Sequence, residues 1–172
     1  EKEQLQKIIP EAQITVGFHP DYTFFNENRS VVNLRESMAL SKHVLLFFGY
    51  VREYKGLKYL INAMPAILKN ISDCHLLIVG EFWNGTEEYT EIIERTGISD
   101  HVTIIAEYIP NNEVGNYFEC SDLVVLPYIS ATQSGIAKIA FSFNKTVITT
   151  KVGGLQEIDK EGDAILINPE SI

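Results

Sequence analysis

Short runs of apolar residues recur along the chain, and stretches with a helical period separate them. None of these runs alternates polar and apolar positions. Continuous apolar runs are typical of strands that are buried on both faces of a parallel sheet. The segments that we predict to be strands are Val44–Gly49, His75–Gly80, Val102–Ala106, Asp122–Pro127, Thr146–Thr149 and Ala164–Ile167.

The stretches between these runs predict helices. In the first of them Leu57, Leu60, Ile61 and Met64 recur at three- and four-residue spacing, which is the pattern of an amphipathic helix. Pro65 falls inside this pattern and should kink the helix or remove one of its hydrogen bonds. The predicted helices are Gly56–Ile71, Thr86–Arg95, Asn112–Cys120 (with Asn111 or Asn112 as N-cap), Ser134–Phe143 and the short segment Gly153–Ile158.

The beginning of the chain is less regular. It offers a strand candidate at Ile14–Phe18, a turn at His19–Tyr22 and a helix candidate at Val31–Leu40. From there on, strands alternate with helices, and such a series with right-handed crossovers gives a doubly wound sheet. We therefore predict one Rossmann-like, three-layer α/β/α domain with a mainly parallel sheet over residues 1–172.

Composition and charge restrict the possible binding partners, but they say less about the fold. The chain has 172 residues, of which 45% are hydrophobic and 22% charged, and its net charge is −9. This acidity argues against binding nucleic acid or an anionic membrane through its general surface. No apolar run is long enough to span a bilayer, so we expect a cytoplasmic protein. Neither the two cysteines nor the scattered histidines have metal-ligand spacing, and we expect no bound metal.

The two ends of the chain suggest a piece of a longer protein. The first residue is Glu1 rather than Met, and the last residues, Asn168–Ile172, stop inside a turn signal that normally leads to another helix. We expect a further domain to precede this one and to supply part of the active site.

Residues 49–56 carry the first candidate chemistry. An apolar strand stops at Gly49, a loop with Arg52 and Lys55 follows, and Gly56 opens a helix. Parallel sheets bind anions at such places, beyond the carboxyl ends of their strands. Arg52 and Lys55 are therefore candidate phosphate-binding cations. The alternative is an ordinary solvated basic loop, and the local pattern leaves the two interpretations about even.

The second candidate is the loop Ser130–Gly135, which precedes an apolar helix. Its small residues allow a ligand to approach the backbone, and open amides at a helix start favour a diphosphate. A simple capped loop is the equal alternative. The sequence has no G-x-G-x-x-G, no G-x-x-x-x-G-K-[ST] and no G-x-S-x-G, so the common dinucleotide, P-loop and hydrolase signatures are absent.

Several stretches, taken in order, resemble one family. They are Phe47–Gly56, Leu76–Gly80, Val102–Pro110, Ser121–Pro127 and Lys145–Glu157. Each is weak alone, but five in this order and spacing make the resemblance specific. The chain resembles the C-terminal, donor-binding half of GT-B glycosyltransferases, in particular glycosyltransferase family 4, the glycosyl transferases group 1.

This resemblance implies a metal-free transfer of a sugar, with retention, from a nucleotide diphosphate sugar. It implies that Lys55 contacts the donor diphosphate. The family usually has an arginine directly after Gly49, where this chain has Tyr50, and Arg52 is the candidate replacement. The donor site that we predict comprises the catalytic cations Arg52 and Lys55 and the nucleotide-sugar-binding residues Gly49, Gly56, Tyr108, Ile109, Pro110, Thr132, Gln133, Ser134 and Gly135. Among these, residues 108–110 match the part of the family that borders the nucleobase.

The chain departs from the family at two positions. The family commonly has two glutamates eight residues apart, one at the sugar and one at the ribose. Ala131 and Ile139 stand in their places, and neither side chain accepts a hydrogen bond. Thr132, Gln133 and Ser134 could supply polar contacts instead.

We therefore predict a hexosyltransferase-type domain of polysaccharide or glycolipid assembly that has no cofactor besides its donor substrate. We expect the 172 residues alone to bind nucleotide weakly and to transfer nothing. The acceptor would bind in an absent N-terminal domain, and association with the cytoplasmic face of a membrane is compatible with this role. The alternatives are a non-catalytic nucleotide-sugar-binding domain and a GT-B-fold epimerase. A GT-B-fold phosphorylase stands beside the epimerase, and an isolated Rossmann-type signalling domain is more remote.

Overall fold

The computed structural model describes residues 2–15, 22–27, 32–160 and 162–170. In these residues, six strands form one sheet in the order β3-β2-β1-β4-β5-β6, and every neighbouring pair is parallel. The strands are β1 His43–Phe48, β2 Cys74–Val79, β3 Val102–Ile105, β4 Leu123–Leu126, β5 Thr146–Thr150 and β6 Ala164–Ile167. This is the strand order of a doubly wound Rossmann-like sheet, so the predicted fold class is confirmed.

In the part of the chain that the structure describes, three helices precede the first strand and four lie between successive strands. They are α1 Lys2–Ile8, α2 Phe24–Glu27, α3 Leu34–Ser37, α4 Leu57–Asn70, α5 Glu87–Thr96, α6 Asn111–Cys120 and α7 Gly135–Ser142. Short 3-10 segments lie at Glu53–Lys55, Ser99–His101 and Gly153–Lys160. The strand and helix predictions from the apolar pattern are therefore confirmed from residue 43 onwards, with small shifts at the element ends.

The sheet separates two hydrophobic cores because successive side chains of a strand point to opposite faces. On β1, Val44, Leu46 and Phe48 join the core beneath α6 and α7, whereas Leu45 and Phe47 join the core beneath α4 and α5. All residues of β2 and all but the first of β1 are buried. These two central strands are therefore covered on both faces, as their continuous apolar sequence predicts.

The strand order reverses between β1 and β4. β2 and β3 lie on one side of this point, and β5 and β6 lie on the other. The loops that leave the carboxyl ends of β1 and β4 must diverge here, and the divergence opens a crevice. Glu53–Lys55 follows β1 and residues 127–134 follow β4, so both candidate loops from the sequence meet at this crevice.

Three local predictions need correction or fall outside the description. Helix α6 begins at Asn111 and its N-cap is Pro110, so neither asparagine caps it; the Pro110 carbonyl accepts from the Glu113 and Val114 N–H groups. Within the helix candidate Val31–Leu40, only α3 is helical among the residues described. Most of the strand candidate Ile14–Phe18 and all but the last residue of the turn at His19–Tyr22 lie outside the described residues.

The amino-terminal edge of the sheet is tied together by Asp122. Its Oδ2 accepts a hydrogen bond from the Val44 N–H at 2.7 Å and pairs with the Arg35 guanidinium at 2.9 Å. Burial works to raise the pKa of Asp122, but these two hydrogen bonds outweigh it and the net pKa is lowered. Asp122 thus links α3, β1 and β4 on the side of the sheet opposite the crevice.

Candidate functional site

A cleft of about 510 Å³ lies where the loops after β1 and β4 meet. It is lined by Tyr54, Lys55, Tyr128, Ser130, Ala131, Thr132, Gln133, Ser134, Gly135 and Ile136. Among the residues that the structure describes, the lining contains one cation, several hydroxyl and amide groups, and no carboxylate. This composition favours an anionic or strongly polar ligand over a cationic one.

Lys55 is the charged residue in the described lining of this cleft, and this residue is only 7% exposed. It ends the 3-10 turn Glu53–Lys55, and Gly56 follows in a left-handed conformation with φ of 67°. A Cβ at Gly56 would stand 2.0 Å from the Pro127 carbonyl oxygen, so only glycine permits this close approach of the two loops. The turn thereby directs the lysine towards the end of β4.

The surroundings of Lys55 disfavour its charge. Its ammonium lies 5.6 Å from the centroid of the Tyr128 ring and against Gly49, 3.2 Å from where a Cβ would stand. Burial and, to a lesser extent, the charge of Arg52 lower the pKa of Lys55 to about 8. A buried ammonium without a paired carboxylate is costly, and an anionic ligand would relieve that cost.

Arg52 lies apart from this cleft. Its guanidinium stacks over the Trp83 ring at 4.7 Å and the Tyr50 ring at 5.2 Å, and those two rings meet edge to face. Arg52 and Trp83 are both exposed, and Arg52 lines a smaller cavity of about 280 Å³ next to Lys58 and Glu88 instead. The structure therefore does not bring Arg52 and Lys55 together in one lining, although their charges still influence each other.

Backbone contacts hold the loop Ser130–Gly135 in place. Gly153 and Gly154 pack directly under it, and the Gly154 N–H donates to the Thr132 carbonyl at 3.2 Å. A Cβ at Gly153 would lie 1.6 Å from the Ala131 carbonyl oxygen. The paired glycines of the sequence therefore form the support on which this loop rests.

The cleft wall contains two hydroxyl groups without partners. Among the described residues, the Tyr128 hydroxyl and the Ser134 Oγ are the buried side-chain polar atoms that make no hydrogen bond. Burial raises the pKa of Tyr128 to about 12, and the neighbouring Ser134 hydroxyl counteracts this only in part. A buried hydroxyl that lacks a partner costs about 1–3 kcal/mol of stability. A ligand in the cleft that formed hydrogen bonds with these hydroxyls would remove this cost.

A second, apolar pocket of about 250 Å³ lies beyond the ends of β1, β2 and β3. Its wall includes Gly49, Tyr108 and Ile109, which the sequence analysis assigned to the nucleotide, and also Phe48 and Ile139. Tyr108 is 65% exposed at its rim and Ile109 is buried. A flat, largely apolar ring system is the kind of ligand that such a pocket would accommodate.

The predicted site residues are thus distributed over several places. Lys55, Thr132, Gln133, Ser134 and Gly135 line the main cleft. Gly49, Tyr108 and Ile109 line the apolar pocket. Gly56 and Pro110 line neither of these; they shape the turn at Lys55 and the start of α6.

The site residues assigned from the sequence did not include four residues of the main cleft, namely Tyr54, Tyr128, Ser130 and Ile136, although Tyr54 and Ser130 lie within the two candidate stretches. A signal for Tyr128 was available, because it is the first residue after Pro127 in the loop that leaves a central strand. Tyr54 could not be found in this way, since its position depends on the hydrogen bond from the Ile129 N–H to its carbonyl at 2.7 Å.

The two positions without the family glutamates lie at different walls. Ala131 lines the main cleft and Ile139 lines the apolar pocket, where it is also part of the core. Both cavities are therefore formed without a carboxylate at these positions.

The described residues contain no group of three or more His, Cys, Asp or Glu side chains that could hold a metal ion. None of the helices in these residues is both long and apolar enough to cross a bilayer.

Comparison with known proteins agrees with this architecture. Spore coat protein SA of Bacillus subtilis (strain 168) is 28% identical over 155 residues, which are 84% of this chain and 40% of that protein. The uncharacterized glycosyltransferase MJ1607 of Methanocaldococcus jannaschii is 29% identical over 148 residues, 82% of this chain and 37% of that protein. The chain therefore spans about two fifths of the length of these relatives.

Solved structures share the fold. The C-terminal domain of a glycosyl transferase group 1 family protein, LpcC, from Francisella tularensis superposes with a TM-score of 0.70 and 23% identity, covering 86% of this chain and 80% of that one. Anabaena HepE in complex with UDP-glucose superposes with a TM-score of 0.66 and 18% identity, covering 84% and 41%.

The family described as glycosyl transferases group 1 matches residues 42–172, which contain the entire sheet, the lining of the main cleft and that of the apolar pocket except Phe25. The chain therefore belongs to the glycosyl transferases group 1 family.

Proposed function

We propose that this domain holds the nucleotide diphosphate sugar from which a glycosyltransferase transfers the sugar. The diphosphate would lie in the main cleft against Lys55 and the loop Thr132–Gly135, and the base would enter the apolar pocket between Gly49 and Tyr108. The observation that carries the proposal is Lys55, a cation that is only 7% exposed in a cleft whose described lining residues include no carboxylate. An ammonium in that environment is matched by a multiply charged anion.

The neighbouring structures make a nucleotide sugar a reasonable ligand. Anabaena HepE, which shares the fold, has been solved with UDP and with UDP-glucose. In our proposal the role of Lys55 is to stabilise the charge that develops on the leaving diphosphate. The proposal includes retention at the sugar, a hexosyl donor, no metal, and an acceptor bound by an N-terminal domain that faces the same crevice.

Direct binding measurements test the donor site. We expect at least one of UDP, GDP and ADP to bind the 172-residue chain, and a millimolar concentration to stabilise it by roughly 2–3 kcal/mol if the Kd lies in the tens of micromolar. Lys55→Ala should weaken binding at least tenfold, since a charge-assisted contact contributes about 1.5–3 kcal/mol. Isothermal titration calorimetry measures both effects.

Two further variants sharpen this experiment. Lys69→Ala removes an exposed lysine at the far end of α4 and should leave the affinity unchanged. Arg52→Ala should weaken binding less than Lys55→Ala, because Arg52 lies outside the cleft lining. No measurable binding of all three nucleotides at millimolar concentration would contradict the proposed function.

A second candidate function is nucleotide-sugar binding without transfer. It is favoured by Ala131 in the main cleft and Ile139 in the apolar pocket, because neither residue supplies the carboxylate that the family commonly has at its position. The two candidates differ in turnover. A longer protein that contains this domain should release nucleoside diphosphate from a nucleotide sugar in the presence of acceptor if it is a transferase, and only bind the sugar nucleotide otherwise.

A further inference from the structure

The unpartnered hydroxyls of Tyr128 and Ser134 have no role in the fold that the described contacts reveal. Tyr128 is only 2% exposed, and its ring is packed edge to face against Tyr54. Its backbone carbonyl is held by the buried Thr150 hydroxyl on β5. The side chain is thus firmly placed, yet its only polar atom is left without a hydrogen bond.

Ser134 is equally unusual. It is the N-cap residue of α7, and a serine at this position ordinarily accepts a hydrogen bond from an amide of the first helical turn. Here its side chain makes no capping bond, and its Oγ is buried without a partner. The first amides of α7 therefore lack the acceptor that the sequence places beside them, and Ser134 lines the same cleft as Tyr128.

Both residues line the same cleft, and neither buried hydroxyl makes a hydrogen bond among the described residues. The Ser134 hydroxyl is near enough to lower the pKa of Tyr128 against the larger, opposite effect of burial. With its pKa at about 12, Tyr128 keeps its proton at neutral pH and acts as a donor. Ser134 can accept one hydrogen bond while it donates another. The arrangement lacks only an acceptor for the serine proton.

We propose that an oxygen of the donor diphosphate completes this pair, accepting a hydrogen bond from Ser134 Oγ while Ser134 Oγ accepts one from the Tyr128 hydroxyl. Tyr128 is then a positioning residue that acts through Ser134, and Lys55 supplies the charge on the same wall, 5.6 Å from the Tyr128 ring centroid. This inference rests on the proposed function, because it assumes a nucleoside diphosphate in the main cleft.

A double-mutant cycle tests it. With the best-binding of UDP, GDP and ADP, Ser134→Ala should raise the Kd about tenfold or more, and Tyr128→Phe about three- to tenfold. In the Ser134→Ala background, Tyr128→Phe should change the Kd less than about twofold, since the tyrosine acts through the serine. Ser134→Thr, which keeps the hydroxyl, should retain most of the affinity.

Stability provides the readout that separates this role from a structural one. Tyr128→Phe removes a buried hydroxyl that makes no bond in the free chain, so its Tm without ligand should stay the same or rise. Tyr117→Phe, a buried tyrosine of α6 outside both cavities, is the matched control and should leave the Kd unchanged. Affinity for the corresponding nucleoside, which has no phosphate, should be the same in Tyr128→Phe and the unmodified chain.

Specific outcomes overturn the inference. They are an unchanged Kd in Tyr128→Phe, losses of Ser134→Ala and Tyr128→Phe that simply multiply, or a loss seen with a nucleotide sugar but not with the nucleoside diphosphate. In each of these cases the unmodified chain still binds the nucleotide, so the proposed function stands. If the unmodified chain binds none of the three nucleotides, both proposals fail together.

Discussion

At the scale of single residues, the site depends on groups that are placed against their own preference. Lys55 is buried although it is a cation, and Tyr128 and Ser134 are buried without hydrogen-bond partners. Burial of polar groups without compensation destabilises the free chain. These residues therefore lower the stability of the free chain, and in the proposed function they are the groups that bind the anion.

The cost of burying Lys55 can be measured through the pH dependence of the free energy of unfolding. Its folded pKa of about 8 is below the ordinary lysine value of 10.5, so between these values the unfolded chain binds more protons than the folded chain. The stability of the free chain should therefore rise with pH through this window. Lys55→Met should be more stable than the unmodified chain at pH 7 by roughly 1–3 kcal/mol, and this difference should shrink as the pH rises from about 8 to 10.5.

Nucleotide affinity should follow the opposite trend, because the ligand needs the protonated lysine. Raising the pH from 7 to about 9.5 should weaken binding about tenfold in the unmodified chain and hardly at all in Lys55→Met. Urea denaturation and calorimetry across this pH range measure the two quantities. A nucleotide affinity that does not depend on pH would mean that Lys55 does not contact the phosphates.

At the scale of elements, the cleft is assembled from loops that brace one another through their backbones. The turn before α4 abuts the end of β4 at Gly56, and the 3-10 segment after β5 supports the loop before α7 at Gly153 and Gly154. The sequence contains these glycines, but from the sequence alone Gly153 and Gly154 were assigned only to the start of a short helix. Their partner loop is more than fifteen residues away, and no local pattern reports such a contact.

Gly153→Ala tests this support. The new Cβ would stand 1.6 Å from the Ala131 carbonyl oxygen in a backbone with φ of 48°, so the loop before α7 must move. We expect a loss of about 2–4 kcal/mol in the free energy of unfolding and a weaker affinity for nucleoside diphosphate.

Gly97→Ala is the matched control for that substitution. Gly97 also has a positive φ, 69°, but nothing lies within 4 Å of its Cβ position. It should cost only about 1–2 kcal/mol of stability and leave nucleotide affinity unchanged. Equal effects of the two variants on both measurements would show that the loop does not depend on Gly153.

At the scale of the whole molecule, the order of the strands determines where the cavities form. The crevice lies where the order reverses, between β1 and β4, and both strands contribute side chains to the two cores. The site is thus built on inner strands of the sheet, while β3 and β6 form its edges with partly exposed side chains.

Hydrogen exchange should reveal this gradient. We expect the amides of β1, β2 and β4 to be the most protected, and those of the edge strands β3 and β6 to exchange at least about tenfold faster. Addition of a bound nucleotide should increase protection at the loops after β1 and β4 more than at β3 or β6. Similar exchange rates in all six strands would contradict the layered burial described here.

The sequence by itself determined the elements from residue 43 onwards, because buried parallel strands need continuous apolar runs and the helices between them need an amphipathic period. It also predicted that Lys55 and the loop Thr132–Gly135 belong to the site, since both follow strands of a parallel sheet. It could not show that Arg52 stacks on Trp83 outside the cleft, nor that Tyr128 and Ser134 are buried side by side without partners. Those features were decided only by the tertiary structure, because they depend on which loops the strand order brings together and on how much water that packing excludes.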